Sequence, residues 1–293
     1  MASKISQLFI YPVKSCAGVA LEQVVLTETG LQFDRSWMVV DEHGHFLSQR
    51  ELPRMVLIEP QLTQNELVLH APGMPELSVA LSQIGQSIPV KVWDDALQAD
   101  DMGPVAAQWF SDFLGTAARL VRFDPAQKRL CRLPWTSDEL ALNQFSDGYS
   151  VLVISEASLA QFNQKLQAQG HAAVGMARFR PNIVLGQAHT TSQASHETEL
   201  AAHEEDLLDT LCITTVQGVV ELKLVKPCTR CPIPNIEPAT ALSSPEVGDL
   251  LQSYRQNPRA NGAPTFGMNA IVQQGAGHVL RVSQAIGADY RFE

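Results

Sequence analysis

Residues 55–81 read Met-Val-Leu-Ile-Glu-Pro-Gln-Leu-Thr-Gln-Asn-Glu-Leu-Val-Leu-His-Ala-Pro-Gly-Met-Pro-Glu-Leu-Ser-Val-Ala-Leu. Three short apolar or alternating runs, Met55–Ile58, Glu66–His70 and Leu77–Leu81, are cut by Thr63-Gln64-Asn65 and Pro72-Gly73. Such runs, punctuated by turn residues, are read as strands. The same pattern continues outward through Ile5–Tyr11, Val19–Thr27, Trp37–Asp41 with the turn Glu42-His43-Gly44, and Pro89–Trp93. A spacing of roughly ten residues suits an antiparallel sheet or small barrel. No strand–helix–strand alternation appears in this region, which argues against a doubly wound sheet.

Helices enter later. Asp101 caps the first, Pro104 sits early and Gly115 ends it, with Val105, Trp109 and Phe113 on one face. A second runs from Ser155 to Gln169 with Leu159, Phe162 and Leu166 inward and Gly170 as the stop. A third starts at Ser244-Pro245-Glu246 and carries Val247, Leu250, Leu251 and Tyr254. Between them strands are expected at Ser150–Ile154, Asn182–Leu185, Leu211–Thr215, Val219–Val225, Met268–Val272 and His278–Val282. Gly186–Asp206 reads as an exposed polar loop and Asp124–Asn143 as a connection between two lobes. The fold class is therefore mainly β with a few helices.

The 293 residues suffice for one large domain or two, and 45% hydrophobic with 18% charged residues is ordinary globular composition. A net charge of −10 disfavours nucleic acid and anionic membranes as partners, since both require concentrated Lys and Arg. No signal peptide, import pattern or run of about 18 apolar residues is present, which points to the cytoplasm. Five thinly spread cysteines, Cys16, Cys131, Cys212, Cys228 and Cys231, do not form a disulfide framework.

The sharpest chemical feature is Lys226-Pro227-Cys228-Thr229-Arg230-Cys231-Pro232-Ile233-Pro234. Cationic neighbours favour thiolate, and the prolines restrict the loop that carries it. The pair reads as half a zinc site lacking its other half, as a redox dithiol without the usual following helix, as one thiolate ligand for a soft metal brought by another molecule, or as ordinary buried thiols. Other basic segments also stand at strand ends: Lys14-Ser15, Phe33-Asp34-Arg35, and Arg178-Phe179-Arg180-Pro181-Asn182. Gathered on one rim, they would hold an anionic group such as a phosphate.

These segments together resemble the MOSC-domain family with its N-terminal β-barrel partner domain. Within it the chain is similar to the bacterial N-hydroxylated-compound reductases and the mitochondrial amidoxime-reducing component. The resemblance rests on Tyr-Pro-Val-Lys-Ser (11–15), Phe-Asp-Arg (33–35), Ser-Gln-Arg-Glu-Leu-Pro-Arg-Met (48–55), Val-Trp-Asp-Asp (92–95), Phe-Ser-Asp-Gly-Tyr (145–149), Glu-Ala-Ser-Leu (156–159), Arg-Phe-Arg-Pro-Asn (178–182), Lys-Pro-Cys-Thr-Arg-Cys (226–231) and Phe-Gly-Met-Asn (266–269). They run in family order over nearly the whole chain.

The resemblance implies an N-terminal β-barrel-like domain over residues 1–125 and a MOSC domain over residues 126–293, with Lys14, Ser15 and Arg35 serving the shared site. It implies that Cys231 ligates molybdenum in a molybdenum cofactor (Mo-molybdopterin). Lys14, Ser15, Arg35, Ser146, Arg178, Arg180, Asn182 and Arg230 would meet the cofactor, Arg230 would keep the thiolate charged, and Asp147 would help with protons. It implies reduction of N-hydroxylated small molecules, such as hydroxylamino purines or amidoximes. Some relatives carry a C-terminal [2Fe–2S] domain and this chain stops at Glu293. Electrons are therefore expected from a separate ferredoxin or flavoprotein reductase. The family also carries an association with pyridoxal phosphate through its sulfurases. The alternative is thus a sulfur-carrier or cofactor-transfer protein using Cys228 and Cys231. Two departures stand out: Pro234, Asn235 and Glu237 replace the usual small hydroxyl residues and Asp, and Ser283-Gln284 replaces a Gly-Asp pair.

Overall fold

The computed structural model describes residues 3–136, 139–187 and 200–291. Seven strands close into a barrel: β1 (Ser3–Ile10), β2 (Val151–Ser155), β3 (Ile183–Gln187), β4 (Leu208–Thr215), β5 (Gly218–Thr229), β6 (Thr265–Gln274) and β7 (Ala285–Tyr290). Their order around the wall is β3-β2-β6-β5-β4-β7-β1, and a β1–β3 pairing closes it. Closure leaves these strands no unpaired edge. Only β2 and β3 run parallel, and a parallel neighbour needs a crossover. Helix α2 (Glu156–Ala168) supplies it, with the Ser155 side chain accepting from Ser158 N at its start.

Strand β1 shows how sequence parity is kept. Ile5, Leu8 and Ile10 are all buried, although Ile5 and Leu8 differ by an odd number. A register shift between Ile5 and Gln7 absorbs the extra residue and returns the apolar set to the core face. The barrel core combines these residues with Val24, Leu26 and Leu31 and with side chains from all the later strands. The first 31 residues thus build the same core as residues beyond 150, across the division at 125 expected from the sequence.

The intervening chain makes a second lobe. It holds a four-stranded antiparallel sheet of Trp37–Val40, Arg119–Phe123, Asp95–Asp101 and Gln86–Val92. A three-stranded sheet of Glu59–Leu62, Glu66–His70 and Leu77–Ala80 stands beside helix α1 (Pro104–Leu114). Helix α3 (Glu246–Tyr254) packs with α2, and Val247, Leu250 and Leu251 are its buried face.

Three expectations are corrected. Met55–Ile58 is not a strand but lies largely in a 3-10 turn, Pro53–Leu57, because Pro53 starts a tight turn and Met55 and Ile58 enter the lobe core. Val105 does not face inward: it is 73% exposed, and the apolar face of α1 is Ala106, Trp109, Phe110 and Phe113. Gly186–Asp206 is not wholly an exposed loop. Residues 188–199 lie outside the described residues, but Leu200 and Glu205 are buried, and Glu204–Leu207 forms a 3-10 turn. Asp124–Asn143 also carries a small ladder, Arg129–Leu130 against Leu142–Asn143.

Candidate active site

One end of the barrel opens into a cleft of about 810 Å³, counting its mouth. Residues distant in sequence meet there: Lys14, Ser15, Arg35, Ser146, Asp147, Arg180, Asn182, Arg230 and Cys231 all line it. The turn after β1 brings Lys14, whose N–H donates to Trp37 O at 2.8 Å. The entry to β3 brings Arg180 and Asn182, and the exit of β5 brings Cys228 and, just beyond, Cys231. Cys231 is partly exposed to the cleft rather than sunk in the core.

Backbone strain gathers at this rim. Ser15, Arg35 and Arg180 adopt φ of 67°, 49° and 57°, a left-handed region that costs side-chain-bearing residues energy. Neighbouring bonds hold them there. Arg35 N donates to Tyr11 O at 2.8 Å, and Tyr11 N donates to Asp34 Oδ1 at 2.8 Å. Asn182 joins three elements: its Oδ1 accepts from Leu152 N at 3.0 Å and Arg35 Nη1 at 3.3 Å, while its Nδ2 donates to Phe9 O at 3.2 Å.

The cations differ in how they are neutralised. Arg35 is paired with buried Asp34 at 2.6 Å. Lys14 Nζ donates to Phe145 O at 2.8 Å and to the Asp147 carboxylate. Burial pulls the Lys14 ammonium below its ordinary range, and Asp147 works against that pull. At Asp147 the surrounding protein disfavours charge. Lys14, Arg50 at 3.5 Å and the Trp93 indole N–H at 3.2 Å outweigh this and hold the carboxyl well below the usual carboxylate range. Half of that side chain is nonetheless open to the cleft. Asp147 is therefore ionised at neutral pH.

Arg180 has no carboxylate within ion-pair distance among the described residues. Its Nη1 donates to Cys16 O at 2.7 Å, and burial brings the guanidinium down to about 10.

Two expected site residues stand elsewhere or face another partner. Arg178 does not line the cleft. It donates to Pro234 O at 3.1 Å and pairs with Glu237 at 2.6 Å, bracing the chain that follows Cys231. Arg230 lines the cleft, but its Nη1 lies 3.1 Å from the Sγ of Cys228 and its Nη2 donates to Phe179 O at 2.8 Å. The cation thus sits on the first cysteine rather than the expected second.

Several lining residues were not singled out from sequence: Arg50, Tyr149, Thr229 and Asn269. Arg129 was also missed. Buried to 3% exposure, it holds the 143–147 loop through Asn143 Oδ1, Gln144 O and Ser146 O at 2.5–2.6 Å and pairs with Asp95. Among the described residues no group of three His, Cys, Asp or Glu side chains could hold a metal. A metal at Cys231 would need most of its ligands from a carried molecule.

Residues 2–117 match the MOSC N-terminal beta barrel domain and residues 142–286 match the MOSC domain. The mitochondrial amidoxime reducing component 2 of Rattus norvegicus is 34% identical, over 92% of this chain and 79% of that protein. That of Bos taurus is 33% identical over the same shares, and component 1 of Homo sapiens is 33% identical over 86% and 72%. The chain belongs to the MOSC-domain family. In this MOSC protein the first matched segment spans both β1 and the second lobe, so the N-terminal match also covers part of the barrel wall. The cleft takes side chains from both matched segments: Lys14, Arg35 and Arg50 from the first, Asp147, Arg180 and Cys231 from the second. Among the described residues no helix of this MOSC protein is long and apolar enough to cross a membrane.

Proposed function

We propose that the chain is a molybdenum-cofactor-dependent reductase of N-hydroxylated small molecules, amidoximes or hydroxylamino purines, served by a separate electron-donor protein. The observation that carries this reading is the composition of the cleft. Two partly exposed thiols, Cys228 and Cys231, stand among five cations, Lys14, Arg35, Arg50, Arg180 and Arg230, against a single lining carboxylate among the described residues, Asp147. This excess positive charge, in a chain of net charge −10, suits a group that joins a soft metal to a phosphate. Arg180, half-buried and without a carboxylate in ion-pair distance among the described residues, fits the anionic end, and the Cys231 sulfur fits the metal. The residues present therefore fit Mo-molybdopterin.

In this reading Cys231 holds the metal, while Arg180, Lys14 and the Ser15 hydroxyl meet the phosphate and pterin. Arg35, Ser146 and Asn182 hold neighbouring parts of the group and of the rim. The bound cofactor supplies the two-electron chemistry at the N–O bond. Asp147 stays charged and accepts a hydrogen bond from an N–H or O–H of the substrate, and the adjacent Lys14 ammonium carries a proton at Nζ. Arg178 keeps the wall after Cys231 in place through Glu237. In this reading electrons come from a separate ferredoxin or flavoprotein reductase. Five free cysteines suit a reducing compartment such as the cytoplasm. The relatives' names support the substrate class, since each is an amidoxime reducing component.

The experiment is reduction of benzamidoxime to benzamidine, and of 6-hydroxylaminopurine to adenine, by protein from a molybdenum-replete host with reduced methyl viologen as donor. Turnover supports the reading. Protein that contains molybdenum and pterin but reduces neither compound overturns it.

A second reading rests on Arg230 Nη1 at 3.1 Å from Cys228 Sγ. A guanidinium there can hold, by hydrogen bond, a sulfur that carries a persulfide in sulfur transfer. Cyanide-labile sulfur on Cys228, in protein free of molybdenum, would favour it.

A further inference from the structure

Tyr11 lies directly after β1, and its ring is 1% exposed. Two guanidinium carbons share that ring: Arg35 Cζ at 4.3 Å from its centroid and Arg180 Cζ at 4.1 Å. Like charges repel, and both arginines also sit in left-handed backbone conformations. An aromatic ring is one of the few groups that can stabilise two cations at once without neutralising either. The pocket is shaped for the ring, since a Cβ at Gly18 would stand only 2.5 Å from its Cε1.

The hydroxyl does nothing comparable. It is buried with no hydrogen-bond partner among the described residues, and burial pushes it up to about 12. The ring, not the oxygen, is thus the functional part. The two arginines are also unequal. Arg35 is paired with Asp34 at 2.6 Å, while Arg180 donates to the carbonyl of Cys16 and, among the described residues, has no carboxylate within ion-pair distance. Arg35 is a fixed strut on one side of the ring system, and Arg180 carries unspent charge toward the cleft.

We infer that Tyr11 is a positioning residue whose ring holds Arg180 ready to receive the anionic group, and that Arg180 rather than Arg35 supplies the net charge for it. This deepens the proposed function, and rests on it only for the identity of the anion. A phosphate-bearing ligand is the class that fits, because Arg180, without a carboxylate in ion-pair distance among the described residues, lines the same cleft as Lys14 and Ser15.

The test uses the full purified chain, stripped of any bound cofactor, with inorganic phosphate as the calorimetric probe. In parallel, the pterin content of freshly isolated protein is measured. Tyr11→Phe keeps the ring and should bind phosphate within twofold of wild type. Tyr11→Met keeps similar volume without the ring face and should bind about tenfold more weakly. Arg180→Lys should weaken phosphate at least fivefold more than Arg35→Lys does, and this comparison stands even if Tyr11→Met fails to fold. Equal binding by Tyr11→Met and Tyr11→Phe, loss of binding in Tyr11→Phe, or a larger effect of Arg35→Lys overturns the inference. Phosphate binding that follows this order in protein without pterin would leave the clamp standing and sink the cofactor reading instead.

Discussion

Lys14 Nζ is fastened to the carboxylate of Asp147, a residue 133 positions away, and the same ammonium donates to Phe145 O at 2.8 Å. This pair ties the turn after β1 to the loop before β2 and closes one side of the cleft. It also fixes the ionisation of Asp147, which Lys14 and Arg50 hold below the carboxylate range. An acid-side limb near pH 5–6 in kcat/KM should therefore not arise from this residue. The pH profiles of wild type and Asp147→Asn, measured with reduced dye as donor, check this. A limb present in wild type and absent from Asp147→Asn would contradict the assignment of Asp147 as an acceptor.

Asn182 stitches β1, β2 and Arg35 together through three side-chain hydrogen bonds. Asn182→Ala leaves the Leu152 N–H and the Phe9 carbonyl without those partners, at about 1–3 kcal/mol for each buried group left unmade. A loss of roughly 2–4 kcal/mol in urea unfolding is expected, with a fall in retained cofactor. Wild-type stability in this variant would show that the bonds are replaced locally.

Arg178 offers the opposite combination. It is buried, paired with Glu237 and outside the cleft. Arg178→Gln should lower the melting temperature, because Glu237 and the Pro234 carbonyl lose their donor. Cofactor content per folded chain should stay within twofold. Selective cofactor loss at unchanged stability would return Arg178 to the binding set.

His203 sets an acid limit on stability. Its ring packs on Tyr254 and Phe266 at 5.8 and 5.7 Å. Burial, aided by Arg255 and Lys165, lowers it from 6.5 to about 4. A depressed folded-state value means the neutral ring is favoured by folding. The contribution is fully present above pH 6.5 and lost as pH falls toward 4. Denaturation midpoints measured from pH 7 to pH 4 should fall more steeply for wild type than for His203→Phe. Parallel curves would assign the acid sensitivity to other groups.

Much of this was legible in the sequence, and the reasons for the exceptions are physical. Local patterns located most strands, the Gly115 end of α1, the Ser155 cap of α2 and the strand-end basic segments, because these depend on residues a few positions apart; the start of α1 is Gly103 without a side-chain cap, not the expected Asp101. Pairing between β1 and β7, nearly the whole chain apart, leaves no local trace, so the sharing of the barrel core by the first 31 residues was invisible. Arg50 lay inside a quoted motif, but only the fold brings it to Asp147. Arg129 carried no signal at all, since a buried arginine that braces a loop looks like any solvated one. Arg178 and Arg180 share a segment, and only the turn at Phe179–Arg180, with Arg180 at φ 57°, sends one away from the cleft and the other into it. Likewise, the preference of Arg230 for Cys228 over Cys231 depends on side-chain geometry that two residues of spacing cannot fix.

The most direct measurement is molybdenum per chain, by plasma mass spectrometry, in wild type, Cys231→Ala and Cys228→Ala purified side by side from a molybdenum-replete host. About one molybdenum in wild type, less than a tenth of that in Cys231→Ala and at least half in Cys228→Ala is the expected result, on the ground that a single thiolate completes the metal's coordination. Equal molybdenum in Cys231→Ala and wild type, or loss confined to Cys228→Ala, would contradict it.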